Sequence, residues 1–280
     1  MQRRFLTLLM AIVLISAAGC TPPAAAAVAP TRLSRPATGA SSGKTITVLA
    51  AASLTESFGQ IGKIFQTEHP GVKVAFSFAG SQQLVQQLSQ GVPADVFASA
   101  SDGYMNAAVK AGRVDPAAVK TFARNKLTVI YPAANPAHLK SLQDLARPGI
   151  KLVLGDRSVP AGQYSLTFLK VASQNGSFGP GYQAAVLKNV VSYEDNVKSV
   201  LTKVGLGEAD AGIVYTTDAA SVPDKVGQIE IPDALNVIAS YPLAAIKDSA
   251  SPDLAQAFVD LVAGPVGQAV LAKAGFIPPG

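Results

Sequence analysis

The sequence predicts an α/β fold of mostly parallel sheets covered by helices on both faces. Three observations carry that prediction. Short apolar, β-rich runs alternate with segments of helical spacing. Most of the helical segments stop at a glycine or a proline. Hydrophobic residues make up 49% of the 280 positions and charged residues 15%, against the roughly 25% charged residues usual in soluble domains, so extended disorder is excluded for most of the chain.

The elements follow in order. Ile46–Ala51 is a β-rich apolar run, and Leu54–Glu68 carries Leu54, Phe58, Ile61, Ile64 and Phe65 at helical spacing until His69-Pro70-Gly71 stops it. Val72–Ala79 reads as a strand, Gln82–Gln90 as a helix ended by Gly91, Asp95–Ala98 as a strand, and Tyr104–Ala111 as a helix closed by Gly112. Further strands are expected at Leu127–Tyr131, Leu152–Leu154, Ala211–Tyr215 and Leu243–Ile246. Helices are expected at Leu142–Ala146, Gln163–Gln174, Val197–Val204, Leu254–Ala263 and Val266–Ala274. No fixed-period repeat is present.

The N-terminus reads as an address. Arg3 and Arg4 precede the apolar stretch Phe5–Ile15 and the small residues Ser16-Ala17-Ala18-Gly19 before Cys20. Phe5–Ala18 is shorter than the roughly 20 apolar residues a permanent span needs. Residues 1–19 therefore read as a signal peptide. The segment ending at Cys20, the chain's one cysteine, resembles a bacterial lipobox, with Ala17 where leucine is preferred. Residues 20–43 form a lipid-anchored tether, in which 19 of the 23 residues after Cys20 are Ala, Pro, Ser, Thr or Gly. Gly39-Ala40-Ser41-Ser42-Gly43 imitates a hydrolase G-x-S-x-G, yet no strand precedes it. Gly39 through Thr45 imitates a phosphate loop, but it has three residues between its glycines and comes before a strand instead of after one.

Charge and composition exclude several functions. The net charge of +5 comes mostly from Arg3, Arg4, Arg32 and Arg35; from Lys44 onward, 19 basic residues face 18 acidic ones. A nucleic-acid partner has no electrostatic footing there. One cysteine and two histidines rule out a disulfide scaffold and a Cys/His zinc site.

In α/β sheets, ligands sit beyond the carboxyl ends of strands, where helices begin. Ser53 follows the first strand, and with Glu56 it forms S-x-x-E, the pattern of a capping box. Ser81 opens the next helix as a possible N-cap, Val159-Pro160-Ala161-Gly162 precedes a third helix, and Asp195-Asn196-Val197-Lys198 opens a fourth. Tyr215 ends a strand. Taken singly, each has a structural explanation: caps, a close helix approach, a half-buried tyrosine. Together, free N–H groups at helix N-termini with serine and tyrosine hydroxyls make an anion site. Such a cavity could hold a small dianion through oriented dipoles alone, provided the side chain of Lys198 points away.

From about Ile46 to the C-terminus the chain resembles the bacterial molybdate-binding proteins, the solute receptors of molybdate ABC transporters. The resemblance rests on Ala50-Ala51-Ala52-Ser53-Leu54, Phe78-Ala79-Gly80-Ser81, Pro93-Ala94-Asp95-Val96-Phe97, Val159-Pro160-Ala161-Gly162, Asp195-Asn196-Val197-Lys198 and Gly212-Ile213-Val214-Tyr215, in the family's order. It implies a two-lobed fold of the periplasmic-binding-protein type II class with two crossing segments. Lobe 1 is then residues 44–123 plus 241–280 and lobe 2 residues 124–240, with crossings near Arg124–Leu127 and Ser240–Leu243. Ser53 and Ser81 would each give a hydroxyl and a backbone N–H to molybdate or tungstate, Ala161 and Val197 a backbone N–H each, and Tyr215 its phenol. Asp95 would orient a loop. Molybdenum would be present only within the bound oxyanion, with no further cofactor. The implied partners are the oxyanion, the transporter's membrane permease and, through Cys20, the membrane. The receptor is expected to be an extracytoplasmic monomer, periplasmic or lipid-anchored to the cell membrane.

Rival readings are a receptor for sulfate, phosphate or thiosulfate, an enzyme, and a structural surface lipoprotein. The enzyme reading lacks a base: neither His69 nor His138 lies in a site motif, and no S-x-x-K occurs at Ser53 or Ser81.

Overall fold

A computed structural model describes residues 43–280. The expected leader, Cys20, both decoy glycine motifs except for their last residues, and all of the tether except Gly43 lie outside the described residues.

Two five-stranded sheets organise the described residues. In the first, β1 (Thr45–Ala51) lies between β2 (Lys73–Ala79) and β3 (Val96–Ala98), parallel to both. β4 (Lys120–Asn125) forms the far edge. In the second, β6 (Leu152–Gly155) lies parallel to β7 (Val190–Glu194) and β8 (Ala211–Tyr215), while β5 (Leu127–Pro132) runs antiparallel to β8 and to the edge strand β9 (Val226–Glu230). β10 (Ala239–Ala245) then returns to the first sheet, antiparallel to β3 and β4. The strand orders, β2-β1-β3-β10-β4 and β7-β6-β8-β5-β9, place the first strand after each crossing fourth in its sheet.

The crossings differ from the sequence expectation. β4 keeps Arg124 and Asn125 in the first sheet, so the outward crossing is confined to Lys126. The return crossing covers residues 231–238, and Ser240–Leu243 is strand: Ser240 pairs with Arg124, and Leu243 with Ala98 and Lys120. The lobes therefore divide a few residues away from 123/124 and 240/241. Tyr241 belongs to a buried strand that pairs on both edges.

Period-2 patterning divides the core of the first lobe. Ile46, Val48 and Ala50 of β1 and Val96 and Ala98 of β3 face the large core, whereas Leu49 and Phe97 face a smaller one. The large core takes α1 (Thr55–Glu68) and α8 (Pro252–Ala263), whose Phe58, Phe65 and Phe258 meet edge to face at 5.4–5.9 Å. The small core takes α2 (Ser81–Ser89) and α3 (Asp102–Lys110) through Leu84, Leu88, Met105 and Ala108. The second lobe carries α4 (Pro160–Gln174), α5 (Tyr182–Lys188), α6 (Val197–Gly205) and the short α7 (Thr216–Ala220). α9 (Pro265–Lys273) packs back on α1. The large core runs unbroken from one sheet to the other.

Candidate functional site

The carboxyl ends of β1, β2, β6, β7 and β8 deliver short turns to the seam between the lobes, and helices start there. The first N–H groups of a helix have no acceptor within it, and the helix dipole adds positive charge. One hollow at this seam is lined by Ser53, Gly80, Ser81, Ala100, Ala161, Asn196, Val197 and Tyr215, among others, so the structure brings all five sequence-derived residues together. It encloses about 210 Å³ of empty space, its mouth included. Among the described residues, no Lys, Arg, Asp or Glu lines it.

Ser53 does not form the expected capping box. It sits in a 3-10 turn, Ala52–Leu54, and α1 starts at Thr55 without a side-chain cap. Its Oγ lies 2.9 Å from the hydroxyl of Tyr241. The Glu56 carboxylate is instead 2.8 Å from Lys198 Nζ on the facing lobe. That contact also turns the side chain of Lys198 away from the hollow, toward Glu56 and Asp218.

Ser81 is the first residue of α2 and not its N-cap, which is Gly80. The Ala100 N–H donates to Ser81 Oγ at 3.0 Å. A backbone amide can only donate, so the Ser81 proton is left for a partner in the hollow. Gly80 permits the lobes to approach: a Cβ there would fall 2.4 Å from the Asp195 carbonyl oxygen.

On the second lobe, Pro160 takes the first position of α4, where its missing N–H has no cost, and Ala161 follows with a first-turn N–H. Gly162 fixes this turn on the end of β6, because a Cβ there would meet the Asp156 and Gly155 carbonyl oxygens at 2.1 and 2.4 Å. Asn196 caps α6 by accepting the Ser199 N–H at 3.0 Å, leaving the amide of Val197 outside the cap.

Tyr215 ends β8 fully buried, with its hydroxyl in no hydrogen bond among the described residues. Burial, then the neighbouring Tyr241, Tyr164 and Asp218, holds its phenol well above the ordinary tyrosine range, so it remains a donor. A buried phenol normally finds a partner, and this one is aimed at the hollow. Its backbone N–H donates to Asp218 at 3.2 Å. Burial raises the Asp218 carboxyl to about 6, with Lys198 pulling the other way.

Asp95 stays out of the hollow. It accepts from the Thr47 N–H and the Ser249 hydroxyl, tying β1 to the loop after β10. Sequence reasoning missed Ala100 and Tyr241, which touch the site serines from distant segments. The local signal for Tyr241 is the mostly apolar run Tyr241–Ala245 in which it sits.

A family model described as bacterial extracellular solute-binding protein matches residues 46–277. The chain belongs to this family. This solute-binding protein is 38% identical over 263 residues to the molybdate-binding protein ModA of Mycobacterium tuberculosis, covering 94% of this chain and 92% of that one. Among solved structures it matches the sulfate-binding protein SubI of M. tuberculosis H37Rv with a TM-score of 0.75 at 22% identity, over 84% of this chain and 87% of that one. It also matches the periplasmic molybdate-binding protein of Azotobacter vinelandii with a TM-score of 0.72 at 21% identity, over 84% and 100%. At these identities the two structures show the shared two-lobed fold. A member of this family is an extracytoplasmic solute receptor and not an enzyme.

Proposed function

We propose that this receptor binds molybdate, and tungstate with it, between its lobes and delivers the anion to the membrane permease of an ABC importer. The observation that carries the reading is a small hollow where helix N-termini, two serine hydroxyls and a buried tyrosine hydroxyl, unpartnered among the described residues, converge with no described cation in the lining. A dianion held this way is bound by charge-assisted hydrogen bonds, each contributing about 1.5–3 kcal/mol. The 38% identity to a molybdate-binding protein over nearly the whole chain supports the choice of anion.

Ser53, Ser81, Ala161, Val197 and Tyr215 are the proposed ligand contacts, and no cofactor beyond the anion is required. Without a carboxylate in the lining, a protonated phosphate finds no strong acceptor for its O–H. Sulfate is the second reading, favoured by the match to a sulfate-binding fold; it would be rejected on size. The protein acts as a monomer, and lipidation of Cys20 with the tether after it holds the receptor at the membrane.

Calorimetric titration of the mature chain with molybdate, tungstate, sulfate, thiosulfate and phosphate tests the proposal. Molybdate and tungstate are expected to bind at least a hundredfold more tightly than the others. Sulfate displacing molybdate at equal concentration would overturn the assignment.

A further inference from the structure

Tyr241 lines no part of the hollow, yet it is joined to a donor from each lobe. Its hydroxyl is 2.9 Å from Ser53 Oγ on the first lobe. Its ring meets that of Tyr215 on the second lobe at 5.8 Å between centroids and 68° between planes. Phe122 and Phe276 close on it edge to face at 6.3 and 5.4 Å, so the ring is packed on both sides. The whole residue is buried.

The direction of the Ser53–Tyr241 bond follows from what each group can do otherwise. A phenol is a better donor than an aliphatic alcohol, and the ring withdraws its oxygen lone pair, making it a poorer acceptor. Ser53 Oγ, at 2.9 Å, is the oxygen in direct hydrogen-bond contact with the buried Tyr241 hydroxyl, with Asn125 and Tyr215 beside it, whereas the Ser53 proton can turn to the hollow. The Tyr241 proton then goes to Ser53, and the Ser53 proton goes to the solute. Ser81 shows the same arrangement with no ambiguity of direction, because its partner, the Ala100 amide, can only donate.

We infer that Tyr241 is a positioning residue for anion recognition: its hydroxyl orients Ser53 as a donor, and its ring seats Tyr215. This rests on the proposed anion site. Chained hydrogen bonds also polarise one another, so Ser53 becomes a stronger donor when Tyr241 donates to it. Such a residue acts on affinity without meeting the solute.

The test is a double-mutant cycle read by molybdate titration of the full mature receptor. Tyr241→Phe keeps the ring, and is expected to weaken molybdate binding about tenfold in the wild-type background. In a Ser53→Ala background the same change is expected to alter Kd by less than twofold. An unchanged Kd for Tyr241→Phe, or an equal loss in both backgrounds, would overturn the positioning role. A 3-fluorotyrosine at position 241 preserves the packing and makes the phenol a better donor. Tighter binding supports the assigned direction, and weaker or unaltered binding overturns it. If wild-type receptor binds none of molybdate, tungstate and sulfate, the anion reading fails and the role of Tyr241 with it. If wild type binds and the cycle is additive, only the role of Tyr241 fails.

Discussion

In the proposed site the two lobes offer the solute different chemistry. The first presents Ser53 and Ser81, whose hydroxyls rotate freely unless something holds them, and each is held: Ser81 by the Ala100 amide, Ser53 by Tyr241. The second presents the amides of Ala161 and Val197, aimed by helix geometry alone, and one hydroxyl, Tyr215, with no protein partner among the described residues. A rotatable donor needs a second residue to set its direction; a backbone donor needs only its helix. Substitutions on the first lobe should therefore damage both the free receptor and its binding, whereas those on the second should separate the two.

Ser81→Ala tests that contrast hardest. It deletes a proposed donor to the anion and leaves the Ala100 N–H buried without its acceptor. Affinity should fall by about 1.5–3 kcal/mol and the free protein should lose about 1–3 kcal/mol. Titration and urea unfolding measure the two losses; a loss of affinity with unchanged stability would break the comparison.

Asp218 brings charge into the second lobe. Its carboxyl, raised to about 6 by burial, binds a proton more tightly when folded than the roughly 3.9 of an unfolded chain. The cost of ionising it is therefore absent below about pH 4, grows as pH rises toward 6, and stays constant above. Relative to Asp218→Asn, wild type should lose up to about 3 kcal/mol of stability across that interval. Parallel denaturation curves at pH 4, 5, 6 and 7 would show it, and a constant difference would refute the raised carboxyl.

Val197→Pro isolates a backbone donor. Val197 is the first residue of α6, where proline suits the helix, and Asn196 before it is already extended at φ −158° and ψ 165°. Anion affinity should drop by about 1.5–3 kcal/mol, with near-native stability of the free protein. A variant binding like wild type would remove Val197 from the site.

Tyr215→Phe should have the smallest total effect. It costs affinity through one lost donor, while the free receptor, relieved of a buried unpaired hydroxyl, should melt at the same temperature or higher. A lower melting temperature would mean that the hydroxyl has a structural partner.

Legibility in the sequence followed burial, except at β2, an edge strand whose Val74, Phe76 and Phe78 still alternate. β1, β3, β6 and β8 sit inside their sheets and read as apolar runs. β4, β7 and β9 were not anticipated because they are edge strands with exposed residues on one side, as in the alternation of Val226–Glu230, and the apolar signal thins there. α5, seven residues long, has only Tyr182 and Val186 buried, too short a stripe to stand out. The S-x-x-E at Ser53 was misleading for a different reason: Glu56 prefers Lys198, which arrives from another lobe.

The sequence by itself determined which strand ends carry helix starts, and with them Ser53, Ser81, the turns 159–162 and 195–198, and Tyr215, because caps, glycines and periodicity act over a few residues; Ala161 and Val197 as donors within those turns came from the resemblance to the molybdate-binding proteins. It also determined that no cation belongs among them except Lys198, and left the direction of that side chain open. Only the tertiary structure decided that Lys198 faces Glu56 and Asp218, that Ala100 and Tyr241 back the two serines, and that the return crossing precedes Tyr241. Those contacts join residues 19 to 188 positions apart. No local pattern encodes them; the packing of the two sheets does.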